Sequence, residues 1–170
     1  MSCTRDVKLR PFLPGDLDAV RGVIFSTIDA CYSGVYPPRA IEFFKQYHSD
    51  ENVLDRAQRG YTIVGESGGR AIATGSIIAD HICAVFVIPA AQHRGLGRRI
   101  MEHLEQRARS AGFEAVTLDV SLPSRQFYEG LGYRLSEAAH LDVGEGQRLD
   151  YWRATKLLVA GDLHGARPSG

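Results

Sequence analysis

The chain contains 170 residues, and its 20 lysines and arginines balance its 20 aspartates and glutamates. This length is typical of one domain, and a hydrophobic content of 44% is that of an ordinary globular protein. The zero formal charge argues against a broad surface for nucleic acid or for an anionic membrane. We therefore expect a single domain over residues 1–160, a flexible tail over 161–170, and neither a nucleic-acid nor a membrane partner.

Cysteine usage and the N-terminal residues predict the compartment. The three cysteines, Cys3, Cys31 and Cys83, are scattered and form no Cys-x-x-Cys pair, which argues against a disulfide framework and a zinc site. Residues 1–6 carry charge where a signal peptide would be apolar. We expect a cytoplasmic protein without a bound metal.

The elements of the first sixty residues are one strand and three helices. Val20, Val23, Ile24 and Ile28 have the spacing of one buried helix face. We predict a strand over 7–12, a helix from the N-cap residue Asp16 to Tyr32, a second helix beginning at Pro37-Pro38 and a third over 52–58.

The remainder of the chain predicts strands that are interrupted by two helices. The run 81–88 is strongly apolar, as expected of a central strand. The predicted elements are strands over 61–64, 71–78, 81–88 and 116–120, helices over 95–111 and 123–131, and closing strands over 133–136 and 148–158. This order predicts an α/β protein with a mixed sheet.

The junction between the central strand and the following helix predicts an anion site. The first N–H groups of a helix lack intrahelical partners and carry the positive end of the helix dipole. Gly95 and Gly97 allow an anion close to the backbone, and Arg94, Arg98 and Arg99 add positive charge. By itself, this glycine pair is equally compatible with an ordinary loop. A P-loop lysine is absent, and Ile100 replaces the third glycine of a dinucleotide fingerprint.

Two motifs in this part of the chain resemble those of the GCN5-related N-acetyltransferases (GNATs). Gln92-x-x-Gly95-x-Gly97, after a strand that ends Val87-x-Pro89, is similar to motif A of that family. Ser121-Leu122-Pro123-Ser124-Arg125-Gln126-Phe127-Tyr128-Glu129-Gly130-Leu131-Gly132-Tyr133-Arg134 resembles motif B. The resemblance covers residues 61–135 and implies the GNAT fold. In this fold a mixed, mostly antiparallel central sheet is flanked by helices, and one strand pair of the sheet is splayed apart.

The resemblance implies acetyl-CoA as the cofactor and assigns residues to it. Backbone N–H groups of residues 94–99 would hold the pyrophosphate, and main-chain groups of Phe86 and Val87 would pair with the pantetheine arm. Phe127 would pack near the pantetheine and adenosine side, and Arg125 would reach the ribose phosphate. The complete cofactor set is Phe86, Val87, Gln92, His93, Arg94, Gly95, Leu96, Gly97, Arg98, Arg99, Ser121, Ser124, Arg125, Phe127 and Tyr128.

For catalysis, Tyr128 matches the tyrosine of the family that is often assigned as general acid. A phenol is protonated at neutral pH and can donate to a departing thiolate. His81 is the leading candidate for the base because imidazole titrates near neutral pH, and Asp119 is the other. Cys83 as an acyl-carrying nucleophile is the rival mechanism, although a buried hydrophobic role for it is favoured.

The acceptor site is expected in the parts of the chain that the motifs do not cover. These are residues 28–47, the turn at 66–70 and a loop over 140–148. Tyr32 and Tyr36 are predicted to bind the substrate amine, with Phe43 nearby and Phe44 assigned to the core.

The leading functional hypothesis is transfer of an acetyl group to a primary amine of a small molecule or peptide, by direct attack in a ternary complex. A non-catalytic acyl-CoA-binding regulatory module and a tRNA-acetylating toxin are the alternatives. The identity of the amine and the length of the acyl chain stay open, and a homodimer is compatible with the sequence.

Overall fold

A computed structural model describes residues 6–158. Seven strands form one sheet in the order β1-β2-β3-β4-β5-β7-β6. Neighbouring strands are antiparallel except β4 and β5, which are parallel. The predicted mixed, mostly antiparallel sheet is therefore confirmed. The predicted tail over 161–170 and Cys3 lie outside the described residues.

The sheet is built from short N-terminal strands and a long C-terminal hairpin. The strands are β1 (Lys8–Pro11), β2 (Tyr61–Ser67), β3 (Arg70–Ile78), β4 (His81–Val87), β5 (Ala115–Ser121), β6 (Arg134–Gly144) and β7 (Gln147–Leu157). The helices are α1 (Leu17–Cys31), α2 (Pro38–Tyr47), α3 (Asp50–Arg59), α4 (Leu96–Ser110) and α5 (Arg125–Gly130).

Most of the predicted elements are present with shifted ends. Asp16 lies before α1, but its carboxylate accepts from the Leu13 N–H at 2.8 Å and from Arg10 instead of capping that helix. Helix α3 is longer than predicted because Ser49 caps it by accepting from the Asn52 N–H.

The predicted loop over 140–148 is wrong. Residues on both sides of Glu145-Gly146 belong to paired strands, and His140 lies opposite Asp150 in the register. Glu145 and Gly146 both have positive φ, at 54° and 69°, as a two-residue hairpin turn requires. The exposed residues of β6 hide the strand from a periodicity analysis because an edge strand has little apolar alternation.

The two faces of the sheet carry separate hydrophobic cores. Helix α4 packs on one face, where Ile82, Ile100, Leu104 and Val120 are among the buried residues. Helices α1 and α2 pack on the other face with Ile28, Val64 and Phe86. No helix among residues 6–158 is both long and apolar enough to cross a bilayer.

Candidate functional site

The parallel strands β4 and β5 separate after a single point of pairing. His81 lies opposite Thr117, and the Thr117 N–H donates to the Asp80 carbonyl at 2.9 Å. No further pairs of these two strands are found within the described residues. Beyond this point the strands diverge, so the middle of the sheet opens into a gap between β4 and β5.

A bulge in β4 reorients the residues that border this gap. Ala84 has a φ of 54°, and the register with β3 shifts between Ser76–Cys83 and Thr74–Phe86. Ile82 faces the α4 core, whereas the extra residue turns Phe86 toward the α1–α2 core. Gly75 lies opposite the bulge, where a Cβ would come 2.7 Å from Ile100. Helix α4 is thus packed tightly against the bulged segment.

The backbone of β4 beyond the bulge presents Val87 to the gap. The Ile88 N–H donates to the Ile72 carbonyl at 3.0 Å. Since N–H and C=O groups alternate in direction along an antiparallel strand, those of Phe86 face β3 and those of Val87 face the gap. The Val87 carbonyl accepts from Gln92 Nε2 at 2.8 Å. The expectation that main-chain groups of Phe86 pair with a pantetheine arm is therefore wrong, and the same expectation for Val87 stays a prediction.

The loop before α4 forms a cradle of backbone N–H groups. His93 and Gly95 have positive φ values of 62° and 81°, and Gly95 is the N-cap residue. The Arg99 N–H is the first helical donor, to the Gly95 carbonyl at 3.1 Å. The amides of Leu96, Gly97 and Arg98 therefore point out of the helix end, where they can bind an anion.

A groove continues from this cradle along the gap. Its volume is about 620 Å³. The lining residues include Thr27, Cys31, Tyr32, Val87, Gln92, His93, Gly95, Gly97, Arg98 and Phe127. A Cβ at Gly97 would lie 3.0 Å from the Phe127 ring, so the absent side chain at Gly97 allows that ring to cover the first turn of α4. We call this the cofactor groove.

The arginines around the cradle do not act alike. Arg98 lines the cofactor groove, whereas Arg94 lines a different groove beside α1 and the β2–β3 turn. Arg99 donates to the Val7 carbonyl at 3.1 Å. Arg125 pairs with Glu129 and lies over the Trp152 ring at 4.9 Å. Arg125 would have to leave Glu129 and Trp152 to reach a ribose phosphate, and that contact stays a prediction.

A second cavity opens on the other side of the gap. It has a volume of about 180 Å³. Its lining includes Phe43, Phe44, Tyr47, His48, His81, Cys83, Asp119, Ser121, Tyr128, Leu141, Leu149 and Tyr151. Val85, Phe86 and Ser124 line both this cavity and the cofactor groove. We call it the acceptor cavity; the turn at 66–70 lies outside it and borders the separate groove beside α1.

Tyr128 is the buried phenol of the acceptor cavity. It is 8% exposed, and no hydrogen bond to its hydroxyl is found among residues 6–158. Burial, with contributions from Tyr32 and Cys83, raises the pKa of Tyr128 above its ordinary value of 10.0. The phenol is thus neutral and is free to donate into the cavity.

The base candidates lie along the two separating strands. His81 Nδ1 and Thr117 Oγ1 are 3.1 Å apart, so a hydrogen bond fixes the ring at the closed end of the gap. Asp119 is exposed and lines the same cavity. Burial raises the pKa of the Cys83 thiol, which disfavours the thiolate that a nucleophile requires.

Tyr32 and Tyr36 do not lie where the sequence suggested. The Tyr36 hydroxyl accepts from the Leu122 N–H and donates to the Asp150 carbonyl, both at 2.8 Å. Tyr36 lines neither cavity, and its hydroxyl braces the connection between α1 and α2 against β7. Tyr32 lines the cofactor groove and shares a hydrogen bond of 3.0 Å with Ser121, which in turn bonds Ser124 at 2.8 Å.

The sequence did not single out His48 and Arg56. His48 follows α2 and lines the acceptor cavity, and Arg56 of α3 does not line the cavity but bonds the His48 ring. The signal that could have revealed Arg56 is its position three residues after Val53, on the same face of α3. Both of these residues are buried. Within the described residues, no cluster of histidine, cysteine and acidic side chains is suited to a metal ion.

Comparison with known proteins identifies the family. Residues 23–133 match the Acetyltransferase (GNAT) family. The chain belongs to this family of acetyltransferases. The match contains the whole cradle before α4 and the Phe127-Tyr128 pair, so the resemblance of the two motifs is confirmed. No curated protein sequence matches the chain significantly.

Solved structures show the same GNAT fold. A GCN5-related N-acetyltransferase from Rhodopseudomonas palustris has a TM-score of 0.81 at 23% identity, over 89% of this chain and 95% of that one. PaiA N-acetyltransferase from Thermoplasma acidophilum, in complex with coenzyme A, has 0.73 at 18%, over 89% and 99%. YncA from Salmonella typhimurium, with acetyl-CoA, has 0.62 at 19%, over 97% and 99%.

Proposed function

We propose that this GNAT protein transfers an acetyl group from acetyl-CoA to a primary amine of a small molecule or peptide. The observation that carries the proposal is the meeting of the cofactor groove and the acceptor cavity at Val85, Phe86 and Ser124. A thioester held there would be open to an amine from the other side. Relatives of the same fold that hold coenzyme A or acetyl-CoA support this assignment of the groove.

Acetyl-CoA would bind along the cofactor groove in two parts. The amides of Leu96, Gly97 and Arg98 would hold the pyrophosphate at the start of α4, with the Arg98 guanidinium adding charge. The Val87 N–H faces the gap and would donate to a pantetheine carbonyl, as in an added strand. The Gln92 side chain donates to the Val87 carbonyl, and we assign Gln92 the role of positioning the end of β4.

The transfer would proceed by direct attack of the amine on the thioester carbonyl. A C–N bond forms, the C–S bond breaks, and the sulfur leaves with the electron pair. Tyr128 would donate its proton to this thiolate, because its burial in the acceptor cavity keeps the phenol neutral. Holding both reactants across the gap also lowers the entropic barrier of the bimolecular step.

The amine must lose a proton before or during the attack. His81 is the proposed base, because a hydrogen bond to Thr117 fixes its ring while the rest of the imidazole borders the cavity. Asp119, on the facing strand, is the second candidate. The raised pKa of Cys83 leaves the acyl-cysteine route without an activated nucleophile.

Two assays test the proposal. Calorimetry should detect binding of acetyl-CoA, and incubation with acetyl-CoA and an amine panel should release thiol and produce a mass-detected acetyl amine. Binding without turnover of any amine would instead favour a non-catalytic acyl-CoA module. Failure to bind acetyl-CoA would reject both readings of the cofactor groove.

A further inference from the structure

The acceptor cavity is backed by a buried arginine that has no acidic partner within residues 6–158. Arg56 is 6% exposed. Its Nη1 donates to the Tyr47 carbonyl at 3.3 Å, its Nη2 donates to His48 Nδ1 at 3.0 Å, and its Nε is buried without a partner. No salt bridge to Arg56 is found in the part of the chain that the structure describes. A buried guanidinium that is met only by neutral acceptors is costly.

The contact with Arg56 fixes the protonation of His48. A guanidinium has no acceptor, so His48 Nδ1 must accept and the proton of the neutral ring lies on Nε2. The ring is held edge-on against Phe86, with centroids 5.2 Å apart. Arg56 therefore presents His48 as a fixed N–H donor whose tautomer cannot exchange.

The Nε2–H of His48 has no partner among residues 6–158. Nor is this atom one of the fully buried, unsatisfied nitrogens, which are Arg56 Nε and Arg109 Nε. His48 is only 4% exposed and lines the acceptor cavity, so the accessible edge of its ring opens into that cavity. The cavity thus contains an unused donor that is backed by an uncompensated positive charge.

The rest of the cavity limits the size and polarity of an acceptor. Its volume of about 180 Å³ is below the roughly 300–1,000 Å³ of pockets for drug-sized ligands. Phe43, Phe44, Leu141, Leu149 and Tyr151 line much of it with apolar surface. Asp119 lies on β5 at the same cavity and offers a carboxylate to an ammonium group.

We propose that the acceptor is a free amino acid with an apolar side chain, whose carboxylate accepts from His48 Nε2–H in the field of Arg56. This inference rests on the proposed acetyl transfer and names the class of its acceptor. The carboxylate supplies the negative charge that Arg56 lacks, the apolar side chain fits the aromatic and leucine lining, and the amine remains for the thioester. His48 is the binding residue, and Arg56 is a positioning residue that acts through it.

The test compares three acceptors that differ only at the carboxylate: leucine, leucinamide and isoamylamine. Leucinamide is a weaker base than leucine and isoamylamine is a stronger one, so a preference for leucine over both cannot come from amine basicity. We expect kcat/KM for leucine to exceed both others by about 10- to 150-fold, the range for a hydrogen bond to a charged group. Equal values, or a preference for either comparison amine, would overturn the inference.

Variants place the preference at His48. His48→Phe should bring the leucine-to-isoamylamine ratio of kcat/KM close to one by raising KM for leucine, while His48→Gln, which keeps an N–H donor, should retain part of it. His103→Phe, at a half-buried residue of α4 that lines neither cavity, is the control and should keep the full ratio. A ratio that survives His48→Phe would contradict the inference. If His48→Phe does not fold, the comparison of leucine with leucinamide and isoamylamine in the unchanged protein still decides whether the acceptor needs a carboxylate.

Different results would reject the carboxylate site and the proposed acetyl transfer. Acetylation of isoamylamine but not of leucine would keep the acetyltransferase and reject the carboxylate site. Absence of acetylation of all three amines rejects the amino acid as acceptor, and the wider amine panel then decides whether the protein is an acetyltransferase.

Discussion

Phe127 and Tyr128 are consecutive in sequence, and their rings lie 5.0 Å apart at an interplanar angle of 67°, yet they line different cavities. Phe127 covers Gly97 in the cofactor groove, and Tyr128 lines the acceptor cavity. Consecutive residues of a helix point about 100° apart around its axis, so these two neighbours emerge on different sides of α5. One turn of helix therefore connects the site for the cofactor with the proposed acid.

Tyr128→Phe removes the proposed proton donor and keeps the ring. We expect kcat to fall about 10²- to 10⁴-fold, the usual contribution of general acid catalysis, while acetyl-CoA affinity measured by calorimetry is retained. Tyr61→Phe, at a half-buried tyrosine that bonds His103 and lines neither cavity, is the matched control. Unchanged turnover in Tyr128→Phe would remove this residue from the mechanism.

Gly97→Ala tests the close approach of Phe127 to α4. The new Cβ would lie 3.0 Å from the ring, so Phe127 must move away from the helix end that we assign to the pyrophosphate. We expect acetyl-CoA affinity to fall about 10-fold, or about 1.4 kcal/mol. Gly34→Ala is the control, because its Cβ would meet nothing within 4 Å. Equal affinities of the two variants would place the cofactor elsewhere.

His48 is expected to make stability depend on pH. Burial, followed by the charge of Arg56, lowers its pKa from 6.5 to about 3. Between these values the unfolded chain binds a proton that the folded protein does not, so the free energy of unfolding decreases as pH falls from 6.5 toward 3. The slope is at most about 1.4 kcal/mol per pH unit.

Urea unfolding at pH 7 and pH 5 measures this effect. The unchanged protein should lose about 1–2 kcal/mol more between the two pH values than His48→Phe, because the variant lacks the titrating ring. Carboxylates contribute to both proteins and cancel in the difference. The same pH dependence in both would show that His48 is not held neutral by its surroundings.

Tyr36→Phe separates bracing of the fold from substrate binding. The change leaves the Leu122 N–H and the Asp150 carbonyl without the hydroxyl that joins them. We expect the free energy of unfolding to fall by about 1–3 kcal/mol with no change in KM for the amine. A raised KM at unchanged stability would return Tyr36 to the substrate site that the sequence analysis proposed.

The parts of the site that the sequence predicted are those that depend on local chain order. An apolar strand, Gly95, Gly97 and a following amphipathic helix are sufficient to place a cradle of N–H groups, because a helix start needs only its own residues. The Phe127-Tyr128 pair was found through its resemblance to motif B of the family. Most element types follow from periodicity, with ends that shift by a few residues.

The parts that were missed depend on contacts between distant segments. Ala84 occupies a positive-φ bulge that no local signal marks, and this bulge changes which face Phe86 occupies. His48 and Arg56 acquire a role only when α3 packs beside the cavity. Strand β6 lies at the sheet edge, where exposed side chains remove the alternation that reveals a strand.

The central claim is that cofactor and amine meet directly across the gap between β4 and β5. The most direct test measures initial rates of thiol release while the concentrations of acetyl-CoA and of an amine that the protein acetylates are both varied. Direct attack in a ternary complex predicts double-reciprocal lines that intersect. Parallel lines would indicate an acyl-enzyme, with Cys83 as its carrier, and would contradict the account given for Tyr128 and the two cavities.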